Sequence, residues 1–312
     1  MECGILHSSY LDMTPYAECF AAQQNELKVF LSHEVHDPLS ITFALLWFPE
    51  DDFFERYPNI KVVASVAAGV DSILACPSLP EHVKVCRNRD DQQAAIMSTF
   101  AIWHVLNHQR NFPLYREQQA NKVWQRQPMR APSEVSVGVL GMGFMGERIA
   151  KDLDHLGFSV AGWRKTNKPL KDSNISVFCG SEELSAFLSR TEVLICVLPL
   201  TDETHGILNL QTFQQLKPNA YLVHLGRGGH LVESDLMHAL QTGVLKGASL
   251  DVFAQEPLPS TSPLWEHPDL IITPHDASDV RPSAAVKNLI DEYLRYLDGQ
   301  CLQNEVPRST GY

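Results

Sequence analysis

Apolar and polar positions along this 312-residue chain fall into two successive strand–helix rhythms. In the first, apolar runs predict strands over Gly4–His7, Leu27–Leu31, Phe43–Phe48, Lys61–Val66 and Val83–Cys86. Helices are expected between them, around Pro15–Gln24 and Asp51–Tyr57. A long stretch from Gln92 to about Glu117 reads as one further helix. It leads into a polar connection ending at Pro132, whose prolines mark the approach to a new domain. From Val135 the alternation restarts. Strands fit Val135–Leu140, Ser159–Gly162, Glu192–Leu198, Ala220–Leu225, Ala248–Phe253 and Leu270–Thr273. Helices fit Gly146–Leu156, Glu182–Leu188, Gln211–Leu216, Ser234–Gln241 and Pro282–Leu297. Ser234-Asp235 looks like an N-cap and Gly243 like a stop.

Such alternation predicts parallel sheets covered by helices, an α/β fold of two doubly wound domains. The expected organisation is a smaller flavodoxin-like domain over 1–103 and 282–312, made discontinuous by the return of the last helix. A Rossmann domain over 104–281 separates its two parts.

Composition narrows the class without naming a chemistry. At 44% hydrophobic and 20% charged residues the chain is ordinary for a globular protein. No apolar run reaches membrane-spanning length, and the N-terminus has no basic region ahead of an apolar stretch, so cytoplasmic residence is the expectation. A formal net charge of −12 argues against nucleic acid, which requires clustered Lys and Arg. The seven cysteines show neither CxxC pairs nor zinc-type spacing, so no metal site is expected. Cys3, Cys76, Cys179 and Cys196 lie in or near apolar stretches and read as small buried hydrophobes.

The most specific signal is Gly141-Met-Gly143-Phe144-Met145-Gly146, directly after a strand-like run and before a helical pattern. A bare GxGxxG is weak, but this context gives each glycine a task. The first makes a tight turn, the second admits a pyrophosphate to the backbone, and the third lets helix and strand pack closely. The pyrophosphate would sit on the amides and positive dipole end of the new helix. An NAD site of this type carries an acid about 20 residues on. Here stand Trp163-Arg164-Lys165. A guanidinium binds a 2′-phosphate bidentately and Lys165 adds charge, so the expected cofactor is NADP(H), with NAD(H) also possible. The competing reading is a solvated loop pair continued by Lys168 and Lys171.

Three later strands each end in a residue with chemistry. Arg227 follows Ala220–Leu225, Glu256 follows the strand ending near Phe253, and His275 follows Leu270–Thr273. Carboxyl ends of parallel strands border the ligand crevice of an open sheet, so the three are expected to converge. An arginine can hold a carboxylate and polarise a carbonyl. A histidine can supply a proton, and a glutamate on its imidazole would favour the charged form. Singly, each residue reads as surface or structural; together, behind this glycine turn, they read as a site.

Taken together, these residues make the chain resemble the D-isomer-specific 2-hydroxyacid dehydrogenase family nearly end to end. The resemblance rests on the glycine motif and the three strand ends. It is carried further by Ala44-Leu-Leu-Trp47, Ala68-Gly-Val-Asp-Ser-Ile73, Glu183–Ser189, Asp251-Val-Phe, Glu256-Pro-Leu-Pro, Ser262–Pro268, Thr273-Pro-His, Arg281-Pro and Gly311-Tyr312. It implies substrate-carboxylate binding by backbone amides of Ala68, Gly69 and Val70, with Arg227. It makes His275 the acid/base, supported by Glu256, and implies nicotinamide contacts near Leu198, Pro199, Gly226 and Asp251. A homodimer through the long central helices is implied as well. Trp47 is a candidate wall of the substrate pocket, though an aromatic at a strand end equally suits a core.

The resemblance implies NADPH-dependent reduction of small 2-oxo acids such as glyoxylate and hydroxypyruvate. Reduction of bulkier 2-oxo acids and a non-catalytic cofactor-sensing role remain as alternatives. Three segments depart from the family pattern: His224 where Asn is usual, the pair Ser98-Thr99 where an acidic pair member is common, and Asp276 beside His275.

Overall fold

The computed structural model describes residues 2–23, 27–166, 170, 173 and 175–308. Lys168, Lys171, Gly311, Tyr312 and the Gln24 end of the first expected helix lie outside the described residues. The chain divides into two compact units, Met1–Gln93 with Asp279–Tyr312, and Ala94–Ser278.

In the first unit, strands β1 (Cys3–Ser8), β2 (Lys28–Leu31), β3 (Ile41–Trp47), β4 (Val62–Ser65) and β5 (Lys84–Cys86) alternate with helices α1 (Thr14–Ala21), α2 (Phe53–Arg56) and α3 (Asp71–Leu74). The sheet runs β2-β1-β3-β4-β5, and every ladder is parallel. Successive side chains of a strand point to opposite faces. Ala44 and Leu46 of β3 therefore join Phe53, Phe54 and Tyr57 on one side, while Phe43 and Leu45 join Tyr16, Phe20 and Tyr293 on the other. Burial on both faces explains why these strands read as continuous apolar runs.

The second unit holds α4 (Asp91–Gln109) from Ala94 onward, α5 (Phe112–Ala120), β6 (Ser136–Leu140), α6 (Phe144–His155), β7 (Ser159–Arg164), β8 (Ser176–Cys179), α7 (Leu184–Ser189), β9 (Val193–Cys196), α8 (Leu210–Phe213), β10 (Ala220–His224), α9 (Glu233–Gln241), β11 (Leu245–Leu250) and β12 (Leu270–Ile272). Helix α10 (Pro282–Leu297) then returns to the first unit, where Val286, Leu289 and Tyr293 pack into its core. The second sheet runs β12-β11-β10-β9-β6-β7-β8, again all parallel. Chain direction across the sheet reverses between β6 and β9, the switch point where such sheets bind ligands. Leu140, Leu194 and Leu222 face one core and Val139, Ile195 and Val223 the other. A fully buried side chain of this size contributes about 1.5–3 kcal/mol, against about 0.5–1.5 for a net hydrogen bond. Two-sided burial therefore dominates the stability of both sheets.

Several details differ from the sequence expectation. The units part at 93/94 and 278/279 instead of 103/104 and 281/282. Met97, Phe100, Ala101 and Val105 of α4 pack with Val135 and Ile149 in the second core, whereas Val280 belongs to the first. The expected helix Gln92–Glu117 is two helices. Asn111 between them has φ 54, in the left-handed region, and Pro113 in the first turn of α5 cannot continue α4. β8 has no counterpart among the expected strands, because its residues are partly exposed and make no apolar run. Ser234-Asp235 is no N-cap: α9 begins at Glu233 after Val232, and the Asp235 carboxylate accepts from Leu210 N–H at 3.0 Å. β11 begins and ends three residues earlier than expected, at Leu245 and Leu250.

Candidate active site

The glycine turn sits at the carboxyl end of β6. Gly141 has φ +114, and a Cβ there would lie 2.8 Å from the Val197 backbone. At Gly146 a Cβ would approach the Gly141 carbonyl oxygen to 1.9 Å, so helix and strand touch only because both residues are glycine. Gly143 is the opposite case: a Cβ would meet nothing within 4 Å, leaving room for a ligand against bare backbone. No side chain caps the N-terminus of α6. A helix start of this kind presents amide donors and positive dipole to an anion. Gly141–Gly146 thus have the shape a pyrophosphate requires.

Trp163, Arg164 and Lys165 follow at the end of β7. The indole N–H of Trp163 donates to the Gly180 carbonyl at 2.9 Å, which fixes the strand end. Arg164 is only 8% exposed, and its Nη2 donates to Glu147 Oε1 at 3.0 Å while Nε has no partner. The reading of a solvated pair therefore fails for Arg164. It fits Lys165, an exposed residue whose Nζ lies 2.6 Å from exposed Glu203. A guanidinium half satisfied by one carboxylate retains a binding edge, which suits a 2′-phosphate.

The three strand-end residues lie in the second unit. Arg227, two residues beyond Leu225, is extended (φ −141), and its Nη1 donates to the Gly226 carbonyl at 2.9 Å. Glu256 Oε1 accepts from Phe253 N–H at 2.9 Å, and Oε2 lies 2.8 Å from His275 Nδ1. Burial alone would push the Glu256 carboxyl up. Hydrogen bonds from His275 and the Phe253 amide, with the charges of His275 and Arg227, outweigh it and hold the group below the usual carboxylate range. Glu256 is therefore an anion at neutral pH, Nδ1–H donates to it, and Nε2 is the atom left for chemistry.

His275 has φ 56, rare for a residue with a side chain. Asp251 holds it there. His275 N–H donates to the Asp251 carbonyl at 2.8 Å, and the 1%-exposed Asp251 carboxylate accepts from Thr273 Oγ1, Asp276 N and Ala277 N at 2.6, 2.8 and 3.0 Å. A strained backbone fixed by an over-determined loop is common at functional sites. Asp276, by contrast, is exposed and faces solvent.

Leu198, Pro199 and Gly226 are neighbours: a Cβ on Gly226 would lie 3.2 Å from the Leu198 carbonyl oxygen. The Asp251 carboxylate is spent on the 273–277 loop, so its side chain acts on His275 placement. In the first unit, Ser65 Oγ donates to the Gly69 carbonyl at 2.6 Å and shapes the turn over Ala68–Val70. Val70 is 3% exposed and its side chain is core, leaving only backbone for a ligand. Trp47 packs partly into the core and edge-on to Phe48 at 5.0 Å. Ser98 is buried and donates to Asp152 Oδ2 at 2.7 Å, a helix-to-helix contact within the second unit.

Sequence reasoning gave no role to Glu147, Thr273 or His230. Glu147 directly follows the glycine motif, and its register one turn into α6 was the available signal. Thr273 and His230 gave none beyond proximity to His275 and Arg227.

Comparison with known proteins places the chain in a family. Residues 102–277 match the family model described as "D-isomer specific 2-hydroxyacid dehydrogenase, NAD binding domain". The chain is 40% identical over 282 residues to glyoxylate/hydroxypyruvate reductase A of Escherichia fergusonii, covering 89% of each chain. A D-isomer specific 2-hydroxyacid dehydrogenase from Xanthobacter autotrophicus, solved with NADPH and MES, superposes with TM-score 0.95 at 34% identity, over 100% of this chain and 99% of that one. An NADPH-dependent glyoxylate/hydroxypyruvate reductase from Sinorhizobium meliloti, solved with NADP and sulfate, gives 0.94 at 31% identity over 100% of both chains.

Proposed function

The chain belongs to the D-isomer specific 2-hydroxyacid dehydrogenase family, and on that premise we propose that it is an NADPH-dependent reductase of small 2-oxo acids. Glyoxylate and hydroxypyruvate are the first candidates, giving glycolate and D-glycerate. The observation that carries this reading is the Glu256–His275 pair beside the Arg227 charge, on a sheet whose glycine turn suits a dinucleotide.

Bound NADPH supplies the hydride that goes to C2 of the oxo acid. Arg227 pairs with the substrate carboxylate and polarises the carbonyl, placing positive charge where negative charge develops. His275 Nε2 gives its proton to the carbonyl oxygen, and Glu256 stabilises and orients the imidazole throughout. Gly141, Gly143, Phe144, Met145 and Gly146 hold the pyrophosphate through backbone. Arg164 binds the 2′-phosphate, flanked by Trp163 and Lys165. Leu198, Pro199 and Gly226 contact the nicotinamide, and Asp251 orders the loop that carries His275. Ala68, Gly69, Val70 and Trp47 are assigned to substrate by the family resemblance.

The relatives support the cofactor assignment, since two of those superposed were solved with NADPH or NADP. The first unit is proposed as the substrate domain and the second as the nucleotide domain. We further propose a cytoplasmic homodimer through the central helices. Trp103, Phe112, Leu114 and Tyr115 on α4 and α5 are large exposed apolar residues, as a helix-to-helix interface requires. No described helix is long and apolar enough to cross a membrane.

The test follows absorbance of reduced cofactor in mixtures of protein, NADPH and glyoxylate, hydroxypyruvate, pyruvate or a bulkier 2-oxo acid. Consumption fastest with the first two supports the proposal. No consumption with any of them removes it, and a preference for the bulkiest acid reassigns the substrate.

A further inference from the structure

We propose that His224 and His230 form a neutral two-histidine clamp on the main chain of Arg227, and that they are positioning residues for its guanidinium. The inference rests on the reductase reading and adds to it two residues outside the Arg227, Glu256 and His275 set.

His224 is the last residue of β10, fully buried, and paired in register with Cys196 of the adjacent strand. Its Nε2 lies 2.9 Å from the Arg227 carbonyl oxygen. A carbonyl only accepts, so Nε2 carries the proton and donates. His230, also fully buried, approaches from the other side. Its Nδ1 accepts the Arg227 N–H at 3.0 Å, and its Nε2 donates to the Pro199 carbonyl at 3.1 Å. Both hydrogen-bonding groups of the Arg227 backbone therefore reach imidazoles, and the carbonyl also accepts the His230 main-chain N–H at 3.0 Å. The contacts require Nε2–H on each ring, and the accepting Nδ1 makes His230 neutral. The rings contact each other edge-on, with centroids 5.6 Å apart. The second ring's anchor on Pro199 ties the Arg227 turn to the strand end after β9, which is assigned to the nicotinamide.

The local sequence accommodates this arrangement. A Cβ on Gly226 would lie 2.9 Å from His230 Nδ1, so the preceding residue must be small for the ring to reach Arg227 N–H. Burial holds His224 at about 3, far below an ordinary imidazole, with the neighbouring His230 acting in the same direction. Charging His230 would destroy a bond, because a protonated Nδ1 could no longer accept; His224 donates through Nε2 in either state and is kept neutral by burial.

The same residues raise a competing possibility. Cys196, His224 and His230 bring potential metal-ligand atoms within 4.8 Å of one another. His230 spends both nitrogens on main chain, however, leaving only the Cys196 thiol and His224 Nδ1. Two ligands fall short of the three or four that zinc sites use. Burial also pushes the Cys196 thiol up to about 12, away from the thiolate a metal needs. The hydrogen bonds favour the clamp.

A clamp of this kind matters because a displacement of about 1 Å in a positioned group can cost on the order of 100-fold in rate. The experiment compares His224→Leu, which fills the volume without a donor, with His224→Asn, whose side-chain N–H can reach the same carbonyl. His224→Leu should lower kcat/KM for glyoxylate about 10- to 100-fold with the KM for NADPH unchanged, and His224→Asn should recover most of the loss. Leu as active as Asn, or a loss that tracks only the unfolding temperature, would overturn the clamp. Ring ¹⁵N NMR of the wild-type protein provides a readout that needs neither turnover nor a variant. Both rings should be Nε2–H tautomers that do not titrate between about pH 5 and 8, where an ordinary histidine does. A titrating His224, or an Nδ1–H form of either ring, refutes the inference. If wild-type protein fails to reduce any 2-oxo acid while the NMR signature holds, the functional reading is at fault and the clamp stands.

Discussion

His275 Nδ1 and Glu256 Oε2 are 2.8 Å apart, and the same carboxylate accepts the Phe253 amide through its other oxygen. Glu256 is thus fixed at both ends, and the imidazole it orients has Nε2 as its outward atom. Replacing Glu256 with Gln keeps a hydrogen-bonding group of the same size and removes the charge that stabilises imidazolium. We expect kcat to fall on the order of 100-fold, with NADPH affinity preserved in a fluorescence titration. Unchanged kcat would show that the pair is only structural.

Asp251 tests whether the left-handed turn at His275 is held by side-chain chemistry. In Asp251→Asn one oxygen becomes a donor facing hydrogen-bond donors of the 273–277 loop. An unsatisfied buried group costs about 1–3 kcal/mol, so chemical unfolding should report a loss of that size. Turnover should fall together with stability. Full stability in this variant would mean that the loop is held by other contacts.

Cofactor choice is the property on which Arg164 and Glu147 oppose each other. Arg164→Ala should raise the KM for NADPH much more than that for NADH. Glu147→Gln frees the guanidinium from its 3.0 Å carboxylate partner and should lower the KM for NADPH by about threefold, the scale of a partly exposed ion pair. Steady-state kinetics with both cofactors decides it: equal changes for NADPH and NADH would remove the 2′-phosphate role from Arg164.

Much of this was legible in the chain itself, for physical reasons that the structure makes explicit. Strands buried on two faces, such as β3 and β9, leave unbroken apolar runs that stand out in any sequence. The glycine turn is legible because Gly141 and Gly146 sit where a Cβ cannot. Arg227, Glu256 and His275 stood out as polar residues ending apolar strands. What stayed hidden depends on partners far along the chain. The Asp251 carboxylate closes on residues 273–277 and Arg164 on Glu147, and neither pairing has a local pattern. β8 was missed because an edge strand of partly exposed residues lacks the apolar run that marks its neighbours. The break at Asn111 had a signal in Pro113 that a long helical period concealed.

Acid stability offers a prediction independent of catalysis. Glu192 is 8% exposed; burial would raise its carboxyl, but paired hydrogen bonds from Arg130 and the contact with His108 hold it at about 2. A group depressed in the folded state stabilises fully above its unfolded value, 4.5, and loses that contribution as pH falls toward about 2. The depression corresponds to roughly 3 kcal/mol. Glu192→Gln should be less stable at pH 7 and show a flatter decline across that acid window in urea titrations. An acid limb as steep as that of the wild type would place the titration elsewhere.

The central claim is that His275 delivers the proton during NADPH-dependent reduction of a 2-oxo acid. The most direct measurement is the rate of NADPH oxidation by wild-type and His275→Ala proteins under saturating glyoxylate, each first shown to bind NADPH. The account predicts turnover in the wild type and loss of about 100-fold or more in the variant with NADPH binding intact. Equal rates in the two proteins would contradict it.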